Sequence, residues 1–351
     1  MSQSTTLSTT HITLDPENFD ESVLLPAADS IRGGGLVIFP TETVYGLGGD
    51  ATNEESADKI YAAKGRPSDN PLIIHISDPK NAEPYCFTTS LYYRLAASFM
   101  PGPLTVIMKK KDTIPARVTG GLDSVAVRCP SHPVANALIR LAGVPIAAPS
   151  ANISGRPSPT KAEHASRDLD GRVDFIIDGG ECRFGVESTI VRIDGDDALT
   201  LLRPGAVTCD ALRCVAKTVD IAPAVTEMLK DDERPLSPGM KYKHYAPSKP
   251  LKLVGGAESD RLKFFRKAQE TEDCLIICYD EQATLLHGGK VITIGAGYDL
   301  ETQMHRIFAA LRESDDIPAD VIYANLPDTE GLGLALYNRL IRAAAHTVIR
   351  L

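Results

Sequence analysis

The chain has 351 residues, a net charge of −9 and 43% apolar side chains. These values suit a globular protein with a sizeable core, and the acidic balance disfavours a broad nucleic-acid-binding face. No stretch approaches the roughly 20 apolar residues of a membrane span. The Ser/Thr-rich start, residues 1–13, lacks the pattern of a secretory signal and is expected to fray. The seven cysteines have no paired or zinc-binding spacing, so we expect reduced thiols in a cytoplasmic protein.

The first two thirds of the chain alternate strand-like and helix-like segments, which predicts an α/β domain. Strands are predicted over 35–41, 72–76, 104–109, 125–128, 145–148, 173–178, 188–193 and 199–202. Helices are predicted over 53–63, 90–100, 133–142 and 208–217, and after a capping box at 160–163.

The sequence changes character near residue 220. Prolines and a charge cluster at 230–234 interrupt any periodicity up to residue 250, which predicts a linker. Beyond it, strands are predicted over 251–254, 275–279, 291–294 and 321–324, with helices near 260–269 and 300–312 and a closing helix. We therefore divide the chain into a domain at 14–219, a linker at 220–250 and a small parallel α/β domain at 251–351.

The run from Phe39 to Gly48 is the first that suggests chemistry. Thr41, Thr43 and Tyr45 alternate, so an extended segment would place three hydroxyl groups on one side. The glycines that follow would let a ligand approach the backbone closely. The alternative is an ordinary half-buried strand end.

A second run places Lys64, Arg66, Asn70 and His75 within about a dozen residues. Lysine and arginine suit phosphate oxygens, the first as a point charge and the second as a planar fork. The alternative for the two basic residues is compensation of the helix dipole, and a lone histidine is more often structural than functional.

Further polar residues stand at predicted strand ends, where ligands collect in open α/β sheets. These residues are Ser124, Arg128, Ser150, Asn152, Ser188 and Arg203. Each has a plainer interpretation as a turn or surface residue. No phosphate-binding loop with a Walker lysine, dinucleotide fingerprint, nucleophile elbow or metal-spaced histidine pair is found.

Taken together, these stretches resemble the YrdC-like threonylcarbamoyl-adenylate synthases in their longer two-domain form. The Lys64-x-Arg66 and Ser150-x-Asn152 pairs carry the resemblance, which runs from about residue 33 to 205. The linker at 237–247 and the segment 331–340 are similar to features of the long form.

The resemblance implies a twisted, mostly mixed sheet with a deep cleft, followed by a small Rossmann-like parallel α/β domain. It also implies that L-threonine, bicarbonate or CO2, and ATP react to threonylcarbamoyl-AMP and pyrophosphate. The resemblance also implies that the product passes to a tRNA threonylcarbamoyl transferase complex and that the protein contacts tRNA only weakly. No membrane partner is expected.

Site residues follow from the same resemblance. The residues expected to hold L-threonine are Thr43, His75, Arg128 and Ser188. The residues expected to hold ATP are Lys64, Arg66, Asn70, Ser124, Ser150, Asn152 and Arg203, of which Lys64 and Arg66 are the expected catalytic residues. Mg2+ would be bound mainly through ATP phosphates, with no metal ligand from the chain.

The linker is expected to act as a lid through Tyr242, His244 and above all Tyr245, the alternative being a plain tether. Two other functions are alternatives to the synthase. A non-enzymatic RNA-binding module is disfavoured by the charge of −9. A carbamoyl-transfer enzyme of the hydrogenase-maturation type would need a zinc finger, for which the cysteines lack the spacing.

Overall fold

A computed structural model describes residues 7–227, 244–286 and 288–351. Within these ranges the chain forms two compact units. The first unit comprises residues 7–154, 159–183 and 187–227, and the second comprises 155–158, 184–186, 244–286 and 288–351. The predicted limits at 14–219, 220–250 and 251–351 remain predictions.

The first unit is built on an eleven-stranded sheet flanked by helices. Its strands are β1 (Thr10–Thr13), β2 (Val37–Phe39), β3 (Gly46–Asp50), β4 (Ile73–His75), β5 (Leu104–Lys109), β6 (Ser124–Arg128), β7 (Ile146–Ala147), β8 (Phe175–Asp178), β9 (Thr189–Ile193), β10 (Ala198–Arg203) and β11 (Thr218–Ile221). Its α-helices are α1 (Leu25–Arg32), α2 (Glu54–Lys64), α3 (Ser90–Phe99), α4 (Pro133–Ala142), α5 (Ala162–Leu169) and α6 (Cys209–Arg213).

The strand order is β1-β8-β2-β3-β7-β4-β6-β5-β9-β10-β11, with parallel and antiparallel neighbours mixed. On one face, α1 and α4 pack against β2, β7 and β8 in a core that contains Phe39, Leu138 and Ile146. Local signals set the helix bounds. Asn53 accepts the Glu55 N–H at 2.9 Å at the start of α2, and Gly65 ends that helix in the left-handed conformation.

The second unit holds a five-stranded parallel sheet in the order β14-β13-β15-β12-β16. Its strands are β12 (Leu251–Gly255), β13 (Cys274–Cys278), β14 (Lys290–Thr293), β15 (Val321–Asn325) and β16 (Val348–Arg350). Its α-helices are α7 (Glu258–Thr271), α8 (Asp280–Leu285), α9 (Leu300–Asp316) and α10 (Gly333–Ala343). The predicted fold class, a mixed α/β sheet followed by a smaller parallel one, is confirmed.

Several local predictions were wrong. Residues 10–13 do not fray but pair as β1 with β8, because parallel backbone bonds fix a segment that has no core pattern of its own. Helices α1 and α8 and strands β3, β11 and β16 were missed. The capping box at 160–163 does not form: α5 begins at Ala162, and the Thr160 hydroxyl is buried without a partner. Helix α6 ends at Arg213, not near 217.

Candidate active site

A row of polar side chains crosses five neighbouring strands of the first unit. His75 on β4 is the register partner of Arg128 on β6, and Arg128 is the partner of Thr105 on β5. The Thr105 hydroxyl lies 2.7 Å from the hydroxyl of Ser188, which also accepts from Arg203 Nη2 at 3.1 Å. His75, Arg128 and Thr105 are register partners and therefore share a face of the sheet. Ser188, which directly precedes β9, joins Thr105 to Arg203 through hydrogen bonds, so the five side chains form one polar row.

The apolar core on this face ends where the polar row begins. The edge of the Phe39 ring meets His75, with ring centroids 6.2 Å apart. His75 Nδ1 lies 3.2 Å from the carbonyl oxygen of Ile146, which belongs to the core under α1 and α4. The packing of these two helices therefore fixes one border of the site.

Arg128 is held by a buried carboxylate. Its Nη2 donates to Glu42 Oε1 at 2.7 Å, and both side chains are only 5% exposed. The second oxygen of Glu42 accepts the Ser131 N–H at 3.2 Å. The Nε of Arg128 is buried and has no hydrogen-bond partner. Since guanidinium groups carry five donors, this arrangement leaves a donor for an anionic ligand.

The turn that carries Glu42 is tightly bonded within itself. Thr41 Oγ1 accepts from the N–H groups of Thr43 and Val44, donates to the Val44 carbonyl at 2.6 Å and lies 2.9 Å from Thr43 Oγ1. The prediction of three hydroxyls on one side of an extended segment was wrong. The segment is a turn, and the Tyr45 hydroxyl donates to the Gly180 carbonyl at 2.6 Å instead.

His75 is neutral in this setting. Burial, with a further contribution from the Arg128 charge, lowers the pKa of His75 to about 3. Because a carbonyl oxygen only accepts, the contact with Ile146 assigns the proton to Nδ1 and leaves Nε2 as an acceptor.

A second cluster forms around Lys64, the last residue of α2. Its side chain is 1% exposed, and Nζ donates to the carbonyl oxygens of Ser150 and Asn152, each at 2.5 Å. The Ser150 hydroxyl lies 2.5 Å from Asn152 Oδ1. The predicted Lys64, Ser150 and Asn152 are therefore brought together, and the ammonium group orders the loop that follows β7.

Arg66 and Asn70 form a third cluster just before β4. Arg66 Nε donates to the Asn70 carbonyl at 3.4 Å, and Nη2 donates to the Pro71 carbonyl at 3.2 Å. Asn70 is 2% exposed, and its Oδ1 is buried with no partner. A buried acceptor without a donor is costly, so this oxygen marks a place where a ligand group fits.

Ser124 lies apart from these clusters, and Tyr245 belongs to the second unit. Ser124 starts β6, roughly 13 Å along the strand from Arg128 on the same face. Tyr245 lies buried in the second unit with φ +64°, its ring centroid 5.0 Å from that of Phe308 and 5.7 Å from the Arg339 guanidinium. Tyr242 lies outside the described residues, as does most of the segment 237–247.

Sequence reasoning missed Glu42 and Thr105. Glu42 lies between Thr41 and Thr43. The predicted alternation placed its side chain on the face of the segment opposite the site. Its signal was that it is the one charged residue between 35 and 49. Thr105 stood inside an apolar strand and gave no comparable signal.

No group of three or more His, Cys, Asp or Glu side chains in the described part of the chain is arranged to hold a metal ion. Within the same ranges, no helix combines the length and apolar character that a membrane crossing requires. All seven cysteines are free thiols.

Comparison with known proteins gives consistent matches over nearly the whole chain. The Sua5/YciO/YrdC family model, described as telomere recombination, matches residues 29–205, and the model for the threonylcarbamoyl-AMP synthase C-terminal domain matches 207–345. The threonylcarbamoyl-AMP synthase of Bacillus subtilis is 43% identical over 96% of this chain and 97% of its own. That of Pyrococcus abyssi is 44% identical over 95% and 97%.

A solved structure matches equally broadly. P. abyssi Sua5 complexed with L-threonine superimposes with a TM-score of 0.89 and 40% identity, over 98% of this chain and 100% of that one. The two family models and these relatives give the assignment that the sequence motifs predicted. The chain belongs to the Sua5/YciO/YrdC family, in the form that carries the threonylcarbamoyl-AMP synthase C-terminal domain.

Proposed function

We propose that this protein is a threonylcarbamoyl-AMP synthase, an enzyme that converts L-threonine, bicarbonate or CO2, and ATP into threonylcarbamoyl-AMP and pyrophosphate. In class it is a nucleotidyltransferase, because an adenylyl group moves to a carboxylate oxygen. The observation that carries the proposal is the buried Arg128, held by Glu42 with one donor left over, beside a neutral His75. The names of the relatives above point to the same reaction.

L-threonine binds along the polar row in this proposal. The Arg128 Nε donor pairs with the substrate carboxylate, a charge-assisted contact. Nε2 of His75 accepts from the ammonium or hydroxyl group, since the neutral imidazole presents a lone pair there. Thr43 and Ser188 add hydroxyl groups at either side of Arg128. The threonine complex of the P. abyssi protein supports this choice of ligand.

ATP is held by the basic residues and the loop after β7. Lys64, Arg66 and Arg203 supply three positive charges, and each charge-assisted hydrogen bond to a phosphate contributes about 1.5–3 kcal/mol. Ser150 and Asn152 position the nucleotide from the loop that Lys64 orders. Asn70 Oδ1 accepts from a hydroxyl or amino group of the nucleotide, and Ser124 contributes from the start of β6.

The reaction needs positioning more than a side-chain nucleophile. The threonine amine adds to CO2 with loss of a proton, giving a carbamate. A carbamate oxygen then bonds to the α-phosphorus of ATP while the bond to the β-phosphate oxygen breaks, and pyrophosphate leaves. Carbamates decompose in bulk water, so the residues must align the oxygen with phosphorus and exclude solvent.

Mg2+ belongs to the proposal as a partner of the triphosphate. The residues fit this role, because Lys64, Arg66 and Arg203 offer their charges to the phosphates and the metal would be held through the triphosphate itself. When bound, Mg2+ neutralises phosphate charge and stabilises the leaving pyrophosphate.

The product is a mixed anhydride that reacts readily, so we propose that a tRNA threonylcarbamoyl transferase complex consumes it. The proposed location of the protein is the cytoplasm. We keep the linker lid, with Tyr242 and Tyr245, as part of the proposal. Deletion of residues 237–247 should lower product yield while the first unit stays folded. Unchanged turnover in that variant would contradict the lid.

The function is tested with radiolabelled bicarbonate. Purified protein with ATP, Mg2+ and L-threonine should convert the label into threonylcarbamoyl-AMP, separated by chromatography and identified by its mass. Arg128→Lys should raise the KM for threonine at least tenfold, because a lysine cannot offer the planar fork. Arg140→Lys is the matched control, an exposed arginine on α4. Absence of labelled adenylate from the parent protein would refute the proposal.

A further inference from the structure

The second unit contains a cleft of about 460 Å³ at the carboxyl ends of its parallel strands. The loops after β12, β13, β14 and β15 all contribute to its walls. This volume lies within the range of small-molecule sites, which run from about 300 to 1,000 Å³. The cleft is formed entirely by residues 255–328, which belong to the second unit.

The position of this cleft follows from the strand order. From β13 the chain continues to β14 at one edge of the sheet, whereas from β15 it continues to β16 at the other edge. The loops that leave these adjacent strands therefore diverge and open a crevice between them. In open α/β sheets, such a switch point outside the carboxyl ends of the strands is where ligands bind.

Two glycines are required by the conformation and packing of the cleft walls. Gly256, directly after β12, has φ +133°, a conformation that side chains disfavour. A Cβ on Gly297 would lie 2.5 Å from Glu281 Oε1 and 3.2 Å from the Tyr279 ring. The Gly297 N–H donates to that same Glu281 oxygen at 2.8 Å, so this loop is held in place.

One wall of the cleft carries a donor without an acceptor. The guanidinium of Arg261 lies 6.0 Å from the centroid of the Tyr279 ring, and its Nε is buried with no hydrogen-bond partner. At the rim stands Tyr298, which is 90% exposed and presents a flat aromatic face on which a planar group can stack. A ligand with an acceptor near Arg261 and a flat face for Tyr298 satisfies both groups.

The charges of the lining residues decide whether the cleft suits anionic or hydroxyl-bearing ligands. Glu258, Glu281 and Asp328 line the cleft against the single positive charge of Arg261. The excess of carboxylates repels phosphate groups but suits hydroxyl groups, which can donate to a carboxylate. Sugar hydroxyls bound by an acidic side chain at a strand end are a recurring arrangement in sheets of this type.

We propose that this cleft binds a neutral nucleoside, with its base stacked on Tyr298, a ring acceptor facing Arg261 Nε and its ribose hydroxyls on Asp328. The cleft is lined by other residues than the proposed ATP site, so it does not depend on the proposed function. It gives the second unit a binding role of its own.

The test uses the full-length protein, with L-threonine and α,β-methylene-ATP present to fill the first site. Adenosine binding is followed by saturation-transfer NMR and by calorimetry, with AMP and cytidine for comparison. We expect saturable adenosine binding that is at least tenfold tighter than AMP binding. Tyr298→Ala and Asp328→Asn should each weaken it at least tenfold, and neither exposed substitution threatens the fold.

Phe87→Ala and Glu270→Gln are the matched controls, an exposed ring and an exposed carboxylate outside the cleft. Both should leave adenosine binding unchanged. Adenosine binding that survives Tyr298→Ala and Asp328→Asn would overturn the proposal, as would the absence of saturable binding. AMP binding tighter than adenosine would overturn the choice of a neutral ligand. Loss of threonylcarbamoyl-AMP synthesis would not bear on the outcome, because the readout is binding alone.

Discussion

The buried pair of Glu42 and Arg128 makes a sharp prediction. Both side chains are 5% exposed, and the 2.7 Å contact is supported by the Ser131 N–H on the other carboxylate oxygen. Removing one member of such a pair leaves the other charge buried and unpaired, at a cost of about 3–5 kcal/mol. We therefore expect Glu42→Ala to lower the free energy of unfolding by about that amount.

The same change should affect catalysis selectively. Glu42 binds Arg128 Nη2 and so fixes the direction of the Nε donor, which in our proposal pairs with the threonine carboxylate. Glu42→Gln keeps the shape but removes the charge, so it should lose less stability than Glu42→Ala. We expect its KM for threonine to rise about tenfold or more, equivalent to about 1.4 kcal/mol, with the KM for ATP little changed.

Urea unfolding and initial-rate kinetics measure these two effects. The matched control is Glu21→Gln, because Glu21 pairs with Arg140 through the same groups, with both side chains about half exposed. That variant should unfold at the parent's midpoint. The reasoning would be refuted if Glu42→Ala matched the parent in stability and in threonine KM.

Three further predictions concern other parts of the site. The pKa of His75 is about 3 in the native state, below its unfolded value of about 6.5, so stability falls as the pH drops through this window. His75→Gln should remove up to about 1.4 kcal/mol per pH unit from that slope. Gly48→Ala should destabilise by about 1–3 kcal/mol, because the new Cβ would lie 2.6 Å from Ile146 and 2.7 Å from Phe39. Lys64→Met should lower kcat/KM for ATP by about 10–150-fold through lost charge-assisted bonds.

Each of these has its own check. The first is checked by measuring the free energy of unfolding between pH 3 and 6.5. An identical pH dependence in the parent and in His75→Gln would exclude a buried neutral histidine. Gly195→Ala, where nothing lies within 4 Å of the added Cβ, should be neutral, and equal effects at both glycines would exclude the packing argument. Lys59→Met, on the same helix as Lys64, should keep its ATP kinetics. Equal losses in both lysine variants would indicate damage to α2 alone.

Much of the site could be predicted because short motifs place its residues at strand and helix ends. Lys64 at the end of α2 contacts Ser150 and Asn152 after β7, so members of the two motif pairs meet in the structure. Arg128 was found because a predicted strand ends with it, and His75 because it closes the run that begins at Lys64. Local periodicity was enough to locate that strand end.

The predictions that were wrong concern features fixed by contacts between residues far apart in the sequence. Strand β1 is defined by its pairing with β8, more than 160 residues away, and its own sequence has no core pattern. Glu42 gained its role only when the turn before β3 met Arg128, 86 residues later. The direction of the Tyr45 hydroxyl was set by the Gly180 carbonyl. Strand alternation alone cannot supply such partners.

The central claim is tested most directly by pyrophosphate release from ATP. Purified protein is assayed with and without L-threonine and bicarbonate, and L-serine replaces threonine as the control for amino-acid selectivity. The account predicts release that requires both co-substrates and is faster with threonine. Folded protein that releases no pyrophosphate under any of these conditions, or releases it equally without threonine, would contradict the account.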